Sequence, residues 1–271
     1  MPELVEFKVG LWLDGSLDTR VGREVELLSL LLPRTVFDAV LALRLFEQAM
    51  SSPTGAEARE ARRYRDGEAL RLREGELAAE NGLDVTSPER GNQWMRLAEH
   101  ARRDVVRAKW EAGELPSEYE SRLPVLHAHS FLSSLMKVRR TLVRLSELET
   151  GSARAEIQAA VDDFVAALPG LKGVRDTAEH ADERILGRDR RGRTMTLAPI
   201  SSPGFNAPTG NALVIDMLAG RTIGSTAHDG TYHEVEVSDA TIEGARAAVQ
   251  RALDALPWRR DHGYPVYLPR A

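Results

Sequence analysis

The strongest constraint on this chain of 271 residues lies between Pro124 and Glu149. There Phe131, Leu135, Val138, Leu142 and Leu145 are spaced by 4, 3, 4 and 3 residues. At 3.6 residues per turn this spacing draws one straight apolar stripe down a helix, and a stripe of that length must be covered by other elements. Lys137, Arg140 and Arg144 form a basic stripe elsewhere on the same helix. Two further stripes follow closely. After the breaker "TGSA", with Ser152 placed as N-cap, come Ile157, Val161, Phe164 and Leu168. Then Leu171, Val174, Ala178, Ala181 and Ile185 step by 3, 4, 3 and 4. Three amphipathic helices in succession predict a helical body with one shared core.

The flanks extend this body. Val36, Val40, Leu43 and Glu47, beside Phe37, Leu41 and Leu45, predict a mostly buried helix over 35–50 that ends at "SSPTG". Residues 56–82 alternate charges of both signs and carry few large apolar groups, which predicts an exposed helix with possible breaks at Gly67 or Gly75. Residues 87–116 predict another helix, with Trp94, Leu97, Val105 and Ala108 on its apolar face. At the start, Val5, Phe7, Val9, Leu11 and Leu13 alternate as in a strand.

Beyond Arg193 the pattern changes. A Pro- and Gly-rich loop is followed by short strands, with Asp229–Gly230 as a hairpin turn between "TIGST" and "YHEVEV". A last helix follows, capped by Ser238 and buried through Ile242, Ala245, Val249, Leu253 and Leu256. The tail "WRRDHGYPVYLPRA" has no period. The expected fold is mainly α with a small C-terminal antiparallel β-meander plus helix, α+β overall. The expected divisions are an N-terminal strand and connection (1–33), a helical body (34–193), and a loop, β-meander and helix (194–271), with the first strand a candidate to join that meander.

Composition removes several classes of function. Cysteine is absent, which excludes disulfides, Cys-type zinc sites, iron–sulfur clusters and thiol catalysis, and suits a reducing cytoplasm. The net charge of −5 means that any nucleic-acid site must be a local patch. "LLSLLLP" is far too short to span a membrane, and the N-terminal residues lack the basic-then-apolar layout of a signal peptide. The excess of Arg over Lys reads as bacterial coding bias. No nucleophile elbow, P-loop or dinucleotide fingerprint is present. On a helix, His127 and His129 of "HAH" point about 200° apart, so they do not converge on a metal. No metal site and no cofactor is expected.

One stretch concentrates chemistry. In "RDTAEH", Arg175 and His180 are five apart, about 140° around a helix. Asp176, His180 and Glu183 share a stripe, so both carboxylates could accept from the imidazole and favour its charged form. Arg175 can pair with Glu179. Arg184, Arg188, Arg190, Arg191 and Arg193 follow, opposed only by Asp189. Cleaving a phosphodiester needs a proton carrier near neutrality and a cation at the non-bridging oxygens, which histidine and arginine supply. RNA brings its own nucleophile, the 2′-OH, so no metal is required. The angular spread points to two copies meeting across a two-fold axis. Equally, Arg, Asp, Glu and His are ordinary on the polar side of an amphipathic helix.

Late in a helical body and after two strongly periodic helices, "RDTAEH" and its extension "EHADER" resemble the HEPN superfamily of small antiparallel helical bundles. Its hallmark is an Arg, a polar residue, three residues and a His, matched here by Arg175, Asp176 and His180. The resemblance covers about 123–193. It implies a metal-independent endoribonuclease acting as a homodimer, of the kind found in toxin–antitoxin, defence and RNA-processing systems, with an antitoxin or assembly partner possible. In that role His180 is the general acid/base or a phosphate ligand, Arg175 stabilises the pentacoordinate phosphate, Asp176 orients the His, Glu179 and Glu183 support, and the arginines from Arg184 to Arg193 grip RNA. The alternative is a non-catalytic HEPN-like assembly or nucleotide-binding module. A third option is a helical core with a small-molecule pocket near the strands.

Overall fold

The computed structural model describes residues 4–9, 13, 20–51, 56–83, 90–115, 117–149, 151–189, 191–258 and 264–269. In chain order the elements are β1 (Leu4–Val9), α1 (Arg20–Ser51), α2 (Ala56–Glu80), α3 (Arg90–Glu111), α4 (Ser117–Glu120), α5 (Leu123–Leu148), α6 (Ala153–Ala167), α7 (Leu171–Glu179) and α8 (Ala181–Ile185). Then come β2 (Ile200–Ser201), β3 (Asn206–Ala207), β4 (Met217–Ala219), β5 (Thr222–Thr226), β6 (Tyr232–Glu236), α9 (Asp239–Asp254) and β7 (Tyr264–Pro269). The chain is therefore mainly helical with small antiparallel sheets, an α+β protein. No helix among the described residues is long and apolar enough to cross a membrane.

Two compact units divide the chain, residues 1–46 with 125–271, and residues 47–124. The cut differs from the expected 1–33, 34–193 and 194–271. Helix α1 begins at Arg20 and continues through Pro33, where a boundary was expected. An interior proline removes one backbone hydrogen bond and costs about 3 kcal/mol. Val25, Leu32, Val36, Val40 and Leu43 are buried on both sides of it in one core, and that burial outweighs the loss.

In the larger unit, Phe131, Leu135, Val138, Leu142 and Leu145 of α5 are all fully buried, while Lys137, Arg140 and Arg144 face solvent. Helix α6 buries Ile157, Val161 and Phe164 in the same core. Ser152 precedes it with helical backbone angles and makes no side-chain cap. Helix α9 packs on α6, and Arg251 joins them by ion pairs to Asp163 (2.6 Å) and Glu156 (3.0 Å). Those two carboxylates hold the Arg251 guanidinium above its ordinary value. Ser238 caps α9 as expected, its Oγ accepting from Thr241 N, and Ile242, Ala245, Val249, Leu253 and Leu256 are buried.

Strands β4, β5 and β6 form an antiparallel meander, with Thr222 opposite Glu236 and Thr226 opposite Tyr232 across the Asp229–Gly230 turn. Strand β1 pairs with β7 instead of joining it, Leu4 opposite Pro269 and Val9 opposite Tyr264. Phe7 is fully buried, as alternation required, but alternation does not name a strand's partner.

The smaller unit has little core. Helices α2 and α3 pair antiparallel, burying Leu77, Ala78, Leu97 and Ala101 with Leu70, Leu83 and Trp94 at the margin. Ala108, expected on the apolar face, is exposed. Ion pairs join the two helices, Arg73 to Asp104 (2.8 Å) and Lys109 to Asp66. Helix α2 continues unbroken through Gly67 and Gly75.

Candidate functional site

The residues singled out by sequence sit where α7 meets the meander. Leu171, Val174 and Thr177 of α7 are buried. Thr177 Oγ1 lies 3.1 Å from Thr226 O on β5, which it can bond as donor. Two glycines allow the approach, since a Cβ at Gly170 would collide with Glu234 O and one at Gly173 with the His233 ring. The helix carrying Arg175 is thus set directly on β5 and β6.

It does not continue as one amphipathic helix to Ile185. It ends at His180, whose backbone (φ −119°, ψ 36°) leaves the helical region, and α8 begins one residue later. Beyond Val174 the inward positions are Thr177 and Arg184, and Ile185 is 70% exposed. The apolar spacing of Ala178, Ala181 and Ile185 lost to a polar alternative: Thr177 and Arg184 both find backbone carbonyls to bond, and Ile185 has no core to enter.

Arg175 is mostly buried, its side chain 12% exposed, and pairs with Glu179, with Asp176 Oδ1 at 3.7 Å. Its Nε is buried and makes no hydrogen bond. His180 is exposed. Asp176 faces Lys172 (3.9 Å) and Arg175 instead of orienting His180, and Glu183 lies 3.8 Å from Arg184. Among the described residues no ion pair joins His180 to either carboxylate, because the helix turns away before the shared stripe can form.

The arginine run splits into different roles. Arg184 is 1% exposed and is no surface contact; its Nη1 donates to Arg188 O at 2.8 Å, pinning the loop from inside. Arg188, Arg191 and Arg193 are exposed. Arg190 lies outside the described residues. Asp189 organises the turn. Its Oδ1 accepts from the backbone N–H of Arg191 (2.8 Å) and Arg193 (2.9 Å), and its Oδ2 from Arg193 Nε (2.8 Å). The backbone bond from Arg193, then its side chain, and then the Arg191 amide hold the Asp189 carboxyl down at about 2. The Arg193 charge is spent on Asp189, leaving Arg188 and Arg191 to face outward.

The other wall of this region carries no signal in the sequence. Asp189, Arg191, Arg193, Thr194, Met195 and Thr196 line a cleft of about 680 Å³ closed on its far side by His228 and Asp229 of the β5–β6 turn. The walls are fixed to each other, with Ala198 N donating to Gly230 O at 2.9 Å. Gly230 has φ +83° and lies so close to Thr196 O that no Cβ fits. Burial raises the Asp229 carboxyl, but hydrogen bonds from Thr231 and the neighbouring His228 and His233 outweigh it, so the net shift is downward. Only a hairpin turn docked on a distant segment creates this cleft, and nothing in the spacing of His228 along the chain signals it.

The "HAH" pair lies on a helix as expected. Burial lowers His127 below its ordinary value. His129 Nε2 lies 3.1 Å from Asp216 Oδ1 in the segment before β4, and both atoms are buried without a hydrogen bond. Asp216 takes φ +51°, and its N–H donates to Ser225 Oγ. Among the described residues no cluster of three or more His, Asp or Glu side chains is placed to hold a metal.

No family model, curated protein or solved structure matches the chain.

Proposed function

We propose that the protein is a metal-independent endoribonuclease of HEPN-like type, acting as a pair of copies. The observation that carries this reading is the break at His180: it leaves an exposed imidazole at a helix end, five residues after Arg175 and separated by the short helix α8 from an exposed arginine turn. In the proposed reaction the RNA 2′-oxygen attacks the adjacent phosphorus. One imidazole takes its proton, the bond to the 5′-oxygen breaks, and the second copy's imidazole protonates that leaving oxygen, giving a 2′,3′-cyclic phosphate. Arg175 meets the developing charge on the non-bridging oxygens. Arg188 and Arg191 hold the flanking backbone beside the cleft of the arginine turn.

A specific observation favours a second reading, a non-catalytic phosphate-binding or assembly module. Glu179 already neutralises Arg175, and a phosphate must displace it. Incubating the protein with RNA in EDTA tests both. On the first reading cleavage persists without metal, is lost in His180→Ala and Arg175→Ala, and rises in Glu179→Ala, which frees the guanidinium. On the second, none of these proteins cleaves RNA, and Arg191→Ala weakens RNA or nucleotide binding. Cleavage that EDTA abolishes, or that survives His180→Ala, defeats the first reading.

A further inference from the structure

Helix α1 shows solvent an apolar stripe on the side opposite its core face. Leu27, Leu31, Leu41 and Leu45 are 63%, 44%, 49% and 39% exposed. Arg34 and Asp38, also exposed, occupy the middle of the stripe. The six positions step by 4, 3, 4, 3 and 4 residues. At about 100° per residue they stay within roughly 40° of one line along the helix. Val25, Leu32, Val36, Val40 and Leu43 point the other way, into the core. The exposed leucines are thus a second apolar face with the spacing of a coiled-coil seam.

The order of residues along that seam is Leu, Leu, Arg, Asp, Leu, Leu. Reversed about the level of Val36, the pattern falls on itself. Position 27 meets 45, 31 meets 41, and 34 meets 38. The leucines meet leucines, and the one asymmetry in the pattern brings Arg onto Asp. Glu24 and Gln48 fall opposite each other at the next step and give the seam polar ends. A parallel pairing would set Arg34 against Arg34 and Asp38 against Asp38. A slip by one heptad would set leucines against charges. Both are disfavoured, so the pattern selects one antiparallel register as well as permitting it. A foreign helix would need to bring its own matching charge order, whereas a second copy of this chain supplies it by symmetry.

We infer that a second copy of this chain docks on α1, antiparallel about a two-fold axis at the level of Val36, with Arg34 paired to the partner's Asp38 and Leu31 packed on the partner's Leu41. This dimer face does not rest on the RNA-cleavage reading, which also needs two copies but names no face: a wild-type monomer ends both, a dimer indifferent to the leucine substitutions ends only this inference, and an α1 dimer that cleaves no RNA ends only that reading.

Sedimentation velocity on the full chain is expected to show a dimer. Leu31→Glu with Leu41→Glu is expected to give a monomer with an unchanged circular dichroism spectrum, since both positions are exposed. Arg34→Asp alone and Asp38→Arg alone each place like charges together and weaken self-association by about tenfold or more. Mixing those two variants restores a heterodimer, because every central pair is again opposite in sign; a pairing confined within one helix could not be rescued by mixing. The chain has no cysteine, so cross-linking can be read cleanly. Leu31→Cys mixed with Leu41→Cys is expected to form a disulfide, and Leu31→Cys by itself is not. A wild-type monomer at every attainable concentration overturns the inference. So does a dimer indifferent to the leucine substitutions, a mixture of charge variants that stays unpaired, or a Leu31→Cys chain that cross-links to itself.

Discussion

Helix α5 and the α7–α8 segment carry nearly the same spacing of apolar residues, but they meet different surroundings. Around α5, every stripe residue from Phe131 to Leu145 is covered by the core, and the helix runs its full length. Along α7–α8 only Leu171 and Val174 find that cover. The next inward places go to Thr177, which reaches Thr226 O, and Arg184, which reaches Arg188 O. Ile185 is left in solvent and the helix breaks at His180. Apolar periodicity holds a helix straight only where a partner surface extends along its whole stripe. Where the surface ends, buried hydrogen bonds decide the path.

The contrast can be broken most directly at α5. Phe131→Ala is expected to destabilise the protein by about 3–5 kcal/mol, measured by urea denaturation, because a fully buried ring leaves a cavity. A loss below about 1 kcal/mol would mean that α5 is not the core's axis. At the α7 end, Gly170→Ala should cost about 1–3 kcal/mol, since its Cβ meets the backbone oxygen of Glu234, which cannot rotate away. Arg184→Ala should cost a similar ~1–3 kcal/mol by removing a fully buried side chain and its bond to Arg188 O, while an exposed arginine in that role would cost almost nothing.

Asp189→Asn sharpens the comparison through pH. The folded carboxyl, held at about 2, lies below its ordinary 3.8, so its contribution is complete above the ordinary value and disappears as pH falls through about 2. The variant should therefore be less stable than the parent at neutral pH and equal to it at the acid end. Amide exchange at Arg191 and Arg193, measured by NMR, should quicken in the variant. The smallest effect is expected at Ile185→Ala, within about 0.5 kcal/mol of the parent, because that side chain covers nothing. A cost comparable to that of Phe131→Ala would restore the continuous stripe through α8.

Legibility followed the range of the interactions. The α5, α6 and α9 stripes, the Asp229–Gly230 turn and the Ser238 cap were all readable, because each depends on residues a few places apart. The run of α1 through Pro33 was not, because a core on both sides of the proline outweighs its local penalty. The partner of β1 was not readable either, since it lies at the other end of the chain. At the candidate site, the sequence pointed to Arg175, His180 and the arginine run. Its four-residue spacing also gave the Arg175–Glu179 pair, but it could not show that Asp176 faces Lys172, or that Arg184 is internal while Arg191 lines a cleft with His228.

By itself the sequence determined helices α5, α6 and α9 and their apolar faces, because the 3.6-residue repeat writes both into local spacing. It also holds the leucine and charge order of α1, but only the tertiary structure shows that Leu41 and Leu45, expected on a mostly buried helix, stand in solvent. Only the tertiary structure decided where α7 stops, which arginines reach solvent and which turn stands across from them. Those outcomes depend on whether a partner surface, a carbonyl or a glycine from a distant segment is present to cover, bond or admit each side chain.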